Sequence, residues 1–208
     1  MTKFMITVVL LITTKLFSQG QFEQGMGKAF ALWGDGKNTE ASAMFERIAS
    51  AEQENWLPNY YVALINTSAA FQTKDKEQVN ALLTKAQRVI DAELNKDQNQ
   101  NNAELLVLQA MIHTAWISFD PMNNGMRLTG KVMELYGKAE SIEPNNPRVV
   151  FSKAEFEMGS ARFFGTDTKP ICAQIEKSIE LFATFKPQTG FHPNWGLERA
   201  QKAMNACK

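Results

Sequence analysis

The sequence predicts an all-α protein, built as a short solenoid of about four helical hairpins with a C-terminal capping helix. Apolar residues recur at spacings of three and four along the chain, which is the period of an amphipathic helix. Glycine, proline and asparagine interrupt this pattern at helix-length intervals. No alternating strand pattern stands out after residue 20. Helices that are apolar on one face are stable only when stacked, so the hairpins should pack side by side.

Four segments show the helical period most clearly. Each places its apolar residues on a single face that a neighbouring helix can cover. The four faces comprise Val79, Leu82, Leu83, Ala86, Val89, Ile90 and Leu94; Leu105, Leu108, Ile112, Ala115 and Phe119; Leu128, Val132, Leu135, Tyr136, Ala139 and Ile142; and Ile171, Ile175, Ile179, Phe182 and Phe185.

The breaks between segments predict where each helix begins and ends. Gly36 permits the left-handed turn that stops the first helix. Asp75 is a natural N-cap for the fourth helix. The predicted pairs are 22–34 with 38–53, 57–72 with 76–94, 103–118 with 125–142, and 148–162 with 169–186, followed by a capping helix over 194–206.

The first 20 residues have the pattern of a cleaved export signal. Lys3 gives a positive start, an apolar run follows over 4–12, and small residues at Ser18 and Gly20 offer two cleavage points. The run is too short to cross a bilayer of roughly 30 Å as a helix. We expect a signal peptide over 1–20, a single domain over 21–208, and a periplasmic or secreted product with no stable membrane insertion. A retained N-terminal anchor and an ordinary buried segment are the alternatives.

Charge excludes two classes of partner. The chain has 22 basic and 22 acidic residues, and removal of Lys3 and Lys15 leaves 20 and 22, a net charge of −2. Nucleic-acid and anionic-membrane surfaces require a basic excess, so neither partner is expected.

The two cysteines, Cys172 and Cys207, lie near the start of one predicted helix and the end of the last. If these helices pack antiparallel, the two thiols meet and form a disulfide in an oxidising compartment. Two unpaired buried cysteines are the alternative.

One spacing resembles a known repeat family. Val132-x3-Tyr136-x2-Ala139-x4-Pro144 resembles the second half of a tetratricopeptide repeat, and Gly36-x4-Ala41-x3-Phe45-x2-Ile48 is a fainter copy. The chain is thus similar to exported bacterial tetratricopeptide-repeat proteins. This resemblance implies a right-handed, tetratricopeptide-like α-solenoid, in which the first helix of each pair lines a concave binding face.

Candidate binding residues follow from that packing. Tyr61, His113 and Trp116 lie on first helices and are candidates for the concave face. Adjacent helical residues differ in direction by about 100°, so Tyr60 and Tyr61 should not both point inward. Residues 119–126 and 163–170 interrupt the third and fourth pairs and should share one edge. The aromatic and thioether side chains there either bind a partner or plug gaps between pairs; they are Phe119, Met122, Phe163 and Phe164.

No catalytic constellation appears. His113 and His192 are predicted on different edges, and the sequence contains no glycine-rich phosphate loop after a strand. We therefore expect no catalytic residue, no metal and no cofactor, and the chain is not expected to be an enzyme.

The main functional expectation is an exported, non-catalytic scaffold that binds a protein or peptide through the groove or the edge. A small-molecule carrier or enzyme is the first alternative, with a pocket between helix pairs lined by His113, Trp116 and Phe119. A structural subunit of an envelope assembly is the second.

Overall fold

The computed structural model describes residues 20–207. The expected signal peptide lies outside the described residues except for Gly20. The described chain is all-α and contains no strand. Its helices are α1 (20–34), α2 (Asn38–Ala51), α3 (Leu57–Ala70), α4 (Lys76–Leu94), α5 (Ala103–Phe119), α6 (Pro121–Ile142), α7 (Pro147–Phe164), α8 (Lys169–Thr184) and α9 (Leu197–Met204). Short 3-10 turns follow α4 (Asp97–Asn99) and α9 (Asn205–Cys207).

The helices pack as consecutive hairpins, which confirms the predicted fold class. Within the later pairs, α3 packs on α4, α5 on α6, and α7 on α8. The first helices of successive pairs also contact each other, α3 with α5 and α5 with α7. The first helices therefore form one layer and the second helices another. The short α9 packs on α8 at the end of the stack.

Both interruptions are shorter than the sequence suggests. Asp120 is the only residue between α5 and α6, so the expected loop over 119–126 is wrong. Proline is well tolerated in the first helical turn, where Pro121 stands, and the Asp120 carboxylate accepts from the backbone N–H of Asn123. The helix therefore starts at once. Helix α7 likewise continues through Phe164 and stops at Gly165, which adopts the left-handed conformation at φ 69°.

Helices α3 and α5 are buried on nearly all sides. Tyr60 and Tyr61 are both buried, which corrects the expectation that one of them would face an open groove. The reason is that α3 contacts α2, α4 and α5, and that Phe30 of α1 and the backbone of Phe191 also contact Tyr61. The helix-periodic pattern predicts one buried face and carries no signal for the second.

The predicted disulfide is present between Cys172 and Cys207, with Cα atoms 5.8 Å apart. It joins the start of α8 to the 3-10 turn after α9. Among the described residues, no helix combines the length and apolarity needed to cross a bilayer.

Candidate functional site

Residues 185–196 cross the layer of first helices, and we call this segment the C-terminal strap. The Tyr61 hydroxyl donates to the Phe191 carbonyl at 2.8 Å, and Trp195 Nε1 donates to the Tyr60 hydroxyl at 2.8 Å. The Phe191 ring packs against two rings of α1, stacking on Phe30 at 5.9 Å and meeting Phe22 edge-on at 5.7 Å. The strap is therefore fastened to both α1 and α3.

A buried ion pair lies beneath the strap. Arg148 of α7 donates to both carboxylate oxygens of Glu104 of α5, at 2.6–2.9 Å, and the Phe185 ring lies 4.4 Å from the guanidinium carbon. Burial lowers the pKa of Arg148, but the hydrogen bonds and charge of Glu104 outweigh this and raise it overall. Burial also raises the pKa values of Tyr60 and Tyr61. Arg148 is therefore protonated, and the two phenols are neutral.

The strap occupies the face that the tetratricopeptide resemblance assigns to a ligand. Tyr61, one of the candidate binding residues, is buried, and its hydroxyl donates a hydrogen bond to the strap. A peptide entering that face would have to displace the strap, with its two hydrogen bonds and its aromatic contacts. The face is part of the core of the molecule.

His113 lies half-buried on α5 at the end of a chain of amide hydrogen bonds. The Gln87 amide nitrogen donates to Asp91 at 2.6 Å, so the Gln87 carbonyl is left to accept from Gln109 at 3.0 Å. The same Gln109 nitrogen lies 3.3 Å from His113 Nε2. Burial and the cationic side chains of Lys131 and Arg127 lower the pKa of His113. The imidazole is therefore neutral at pH 7 and accepts from Gln109 at Nε2.

The other candidate residues divide into two groups. Trp116 and Phe119 are partly buried and pack against the main core. Met122, Phe163 and Phe164 are instead 90%, 79% and 73% exposed, so they do not plug gaps between pairs. Phe163 and Phe164 form an edge-to-face pair with ring centres 5.0 Å apart, and we call them the phenylalanine pair.

Two methionines that the sequence analysis did not single out extend this exposed surface. Met126 is 99% exposed and Met133 is 37% exposed. At 100° per residue, Met122, Met126 and Met133 lie within about 40° of one another around α6. We call them the methionine flank. The spacing of four and eleven residues is visible in the sequence. Only the structure shows that the methionine face of α6 is exposed and that a different face is buried.

The methionine flank lies on the side of α6 that borders the α7–α8 hairpin. Arg127 and Lys131 lie about 100–180° from the methionines around α6. Lys138 lies on the same flank and donates to the Gln100 carbonyl, just after α4, at 2.8 Å, so that flank borders α4. Glu140 lies on the opposite flank with the methionines and pairs with Lys153 of α7 at 2.6 Å, so this flank borders the last hairpin, where α7 ends at the phenylalanine pair. Large apolar side chains from two elements thus share one side of the molecule.

Cations border the phenylalanine pair. Arg162 and Lys169 flank it in sequence, both are exposed, and neither forms an ion pair within the described residues. The nearby Asp120 and Asp167 carboxylates accept backbone N–H groups at the starts of α6 and α8. The side of the molecule that exposes apolar rings and thioethers therefore also carries two cationic side chains without an ion-pair partner among the described residues.

Three clefts of the described chain are lined by other residues. A small groove of about 220 Å³ runs between α7 and α8 and is lined by Lys153, Glu157 and Ile171, among others. Two larger, open grooves of about 540 and 550 Å³ lie beside α4 and are lined mainly by polar and charged side chains. None of the three is lined by His113, Trp116 or Phe119, the residues expected around a pocket. Among the described groups of acidic, histidine and cysteine side chains, none is arranged to hold a metal ion.

Comparisons with known proteins give one similar fold. No protein-family model and no curated protein matches the chain. The solved structure of the HusA haemophore from Porphyromonas gingivalis is similar, with a TM-score of 0.75 and 24% sequence identity over 89% of this chain and 92% of that chain. The likeness supports the all-α fold, whereas no family model supports the tetratricopeptide assignment. It contradicts our main expectation of a peptide-binding scaffold, because the protein of similar fold is a haemophore.

Proposed function

We propose that the chain is an exported, non-catalytic carrier for a flat, largely apolar ligand of the haem class. The proposal places the ligand against the methionine flank and the phenylalanine pair. We also propose that the N-terminal signal exports the chain to the periplasm or the exterior. The hairpins are proposed to be tetratricopeptide-like repeats.

The observation that carries the proposal is the exposed apolar surface of the last two hairpins. Two methionines and two phenylalanines with 73–99% exposure lie on one side of the described chain. Soluble proteins rarely leave such side chains together in water unless they contact something. Thioether side chains are flexible and polarisable, which suits them to the face of an aromatic macrocycle. Phenylalanine rings add stacking or edge contacts.

Charge and shape support the same class of ligand. Haem is planar, apolar over most of its surface, and carries two propionate carboxylates at one edge. The exposed cations Arg162 and Lys169 flank the phenylalanine pair and suit those carboxylates. The three clefts described above are not lined by the methionine flank or the phenylalanine pair, so the proposal places the flat ligand on the exposed apolar face. The similarity of the fold to a haemophore supports this assignment.

Titration of the purified protein with ferric haem, followed by the Soret absorbance, tests the proposal. The wild type should bind haem saturably, and Phe163→Ala/Phe164→Ala should weaken binding by about tenfold or more. This follows because burying one such ring contributes about 1.5–3 kcal/mol, and about 1.4 kcal/mol corresponds to tenfold in affinity. Phe71→Ala is the matched control, because Phe71 is also exposed (45%) but belongs to the second hairpin.

Two results would contradict the proposal in different ways. If the folded wild type shows no saturable binding, the assigned ligand class is wrong. If the double variant and the Phe71→Ala control bind haem as tightly as the wild type, the ligand lies elsewhere on the molecule.

A further inference from the structure

The described structure leaves few side chains able to ligate iron at the exposed apolar surface. Proteins hold haem iron through histidine, cysteine thiolate, tyrosine or methionine. The chain contains two histidines, two cysteines and three tyrosines, and the structure describes all seven. Each of them is engaged elsewhere in the fold.

The cysteines and tyrosines are unable to reach a surface ligand. Cys172 and Cys207 are joined in the disulfide, so no thiolate is present. The three tyrosines, Tyr60, Tyr61 and Tyr136, are buried, and the hydroxyls of the first two take part in the hydrogen bonds that fasten the strap.

The histidines are held away from the site. His113 lies on the opposite side of α6, toward α4, and its Nε2 faces the amide of Gln109 at 3.3 Å. His192 belongs to the strap and packs between the rings of Trp56 and Phe185, with centroids at 5.7 and 6.3 Å. Neither borders the methionine flank.

Of the side chains that can ligate haem iron, the methionine thioethers are therefore the ones that the described structure places at the exposed apolar surface. From the proposed function, on which this step rests, we infer that Met126 supplies an axial sulfur ligand to the haem iron. Met126 is the most exposed of the three, at 99%. With a rise of 1.5 Å per residue, it stands about 6 Å from Met122 and about 10 Å from Met133 along α6. A macrocycle centred on Met126 is thus within reach of Met122, one helical turn away, through apolar surface.

The chemistry of the donor makes the inference specific. A thioether is a soft, neutral ligand, and methionine ligation raises the reduction potential of haem. Met126 ligation should therefore favour the ferrous state over the ferric state. Phenylalanine and leucine surfaces supply apolar contact alone and produce no such preference.

Iron-free protoporphyrin IX separates ligation from apolar contact. Met126→Leu keeps nearly the same volume and removes only the sulfur. We expect this variant to lose about tenfold or more in affinity for ferrous haem, the range seen when metal coordination is disturbed. Its affinity for protoporphyrin should stay within about twofold of the wild type, since the apolar contact is preserved. The bound haem should also have a lower reduction potential in the variant than in the wild type.

Met122→Leu is the matched control, because the same substitution is made one turn away on the same flank at a side chain that is 90% exposed. Because Met122 meets the macrocycle through apolar surface alone, any change in affinity should be the same for haem and for protoporphyrin, and the reduction potential should stay close to that of the wild type. Thermal unfolding midpoints should be unchanged in both variants, because neither side chain is buried.

Each other outcome has a distinct meaning. Equal losses for haem and protoporphyrin in Met126→Leu, or no loss for either, would show that the sulfur is not an iron ligand. A selective loss in Met122→Leu alone would move the ligand one turn and overturn the assignment of Met126. If the wild type binds protoporphyrin and haem equally, ligation fails while the carrier function stands. If the wild type binds neither, the proposed function itself fails.

Discussion

Arg148 and Glu104 form an ion pair that joins the third and fourth hairpins in the middle of the fold. The shortest of their contacts is 2.6 Å between Nη2 and Oε1, and both side chains have at most 2% of their surface exposed. The Asn146 amide donates to the same carboxylate at 2.6 Å, and the Phe185 ring covers the guanidinium. The strap therefore closes over a charged centre, and removing either partner leaves the other charge without its counterion.

Arg148→Met should be one of the most destabilising single changes in the molecule. Breaking a buried pair by removing one partner costs about 3–5 kcal/mol, because the remaining charge stays in a low-dielectric site. Urea unfolding at pH 7 measures this cost. Arg199→Met is the control, since the Arg199–Glu155 pair is half-exposed and such pairs contribute about 0–1 kcal/mol. Equal losses for the two variants would show that burial does not govern this pair.

Trp195→Phe should loosen the strap while keeping its aromatic packing. The change removes the indole N–H that donates to the Tyr60 hydroxyl, at a cost of about 1 kcal/mol. Amide hydrogen exchange should quicken in residues 185–196 more than in α7. A uniform change across the chain would show instead that the strap does not open separately from the core.

Gly196→Ala should be costly for two reasons that act together. Gly196 has a φ of 118°, and a Cβ there would lie 2.6 Å from the Cζ atom of Phe182. We expect a loss of about 1–3 kcal/mol in the free energy of unfolding from backbone strain alone, and more from the contact with Phe182. Gly36→Ala is the control, with φ 77° and open space around the added methyl group. If both variants lose the same stability, the contact with Phe182 contributes nothing.

Cys172→Ser/Cys207→Ser should destabilise the last hairpin and α9. The disulfide closes a loop with a sequence separation of 35, for which the chain-entropy estimate is roughly 3.8 kcal/mol. Thermal unfolding of the oxidised wild type, the reduced wild type and the double variant measures the effect. The reduced wild type should unfold at nearly the same temperature as the variant. A variant as stable as the oxidised wild type would contradict this estimate.

Stability should fall as the pH is lowered below the usual histidine range. Burial and the charge of Arg148 lower the pKa of His192 from its usual 6.5, against the opposing charges of Glu104 and Glu143. The unfolded chain then binds a proton more readily than the folded one. The contribution is complete above pH 6.5 and is lost as the pH falls through the lowered pKa.

His192→Phe separates this effect from the titration of other groups. The variant keeps a ring between Trp56 and Phe185 and has no proton to bind. The urea midpoint of the variant should change less than that of the wild type when the pH is lowered from about 7.5 to about 5.5. The pKa of half-buried His113 is also lowered, so His113 adds a pH dependence of the same sign in both proteins. Parallel declines in the two proteins would assign the pH dependence to groups other than His192.

Much of the fold was accessible from local patterns. The helix-periodic faces and the stops at Gly36 and Asp75 predict the hairpins to within a few residues, because helix formation and termination depend on nearby side chains and backbone torsions. The disulfide followed from where Cys172 and Cys207 fall along helices that pack antiparallel. The expected loop over 119–126 was wrong because Asp120 caps α6 without a connecting loop.

The amino-acid sequence by itself determined that the chain is helical and how the helices pair, and it left open whether the two cysteines bond. The tertiary structure alone decided which of two similar surfaces is covered. The side chains of Tyr61 and Met122 are both compatible with a binding face. The strap buries Tyr61, whereas Met122 remains 90% exposed in the described chain. Contacts between residues 130 positions apart in sequence, such as that of Tyr61 with Phe191, leave no periodic trace, because periodicity reports the shape of one helix and not what later chain folds over it.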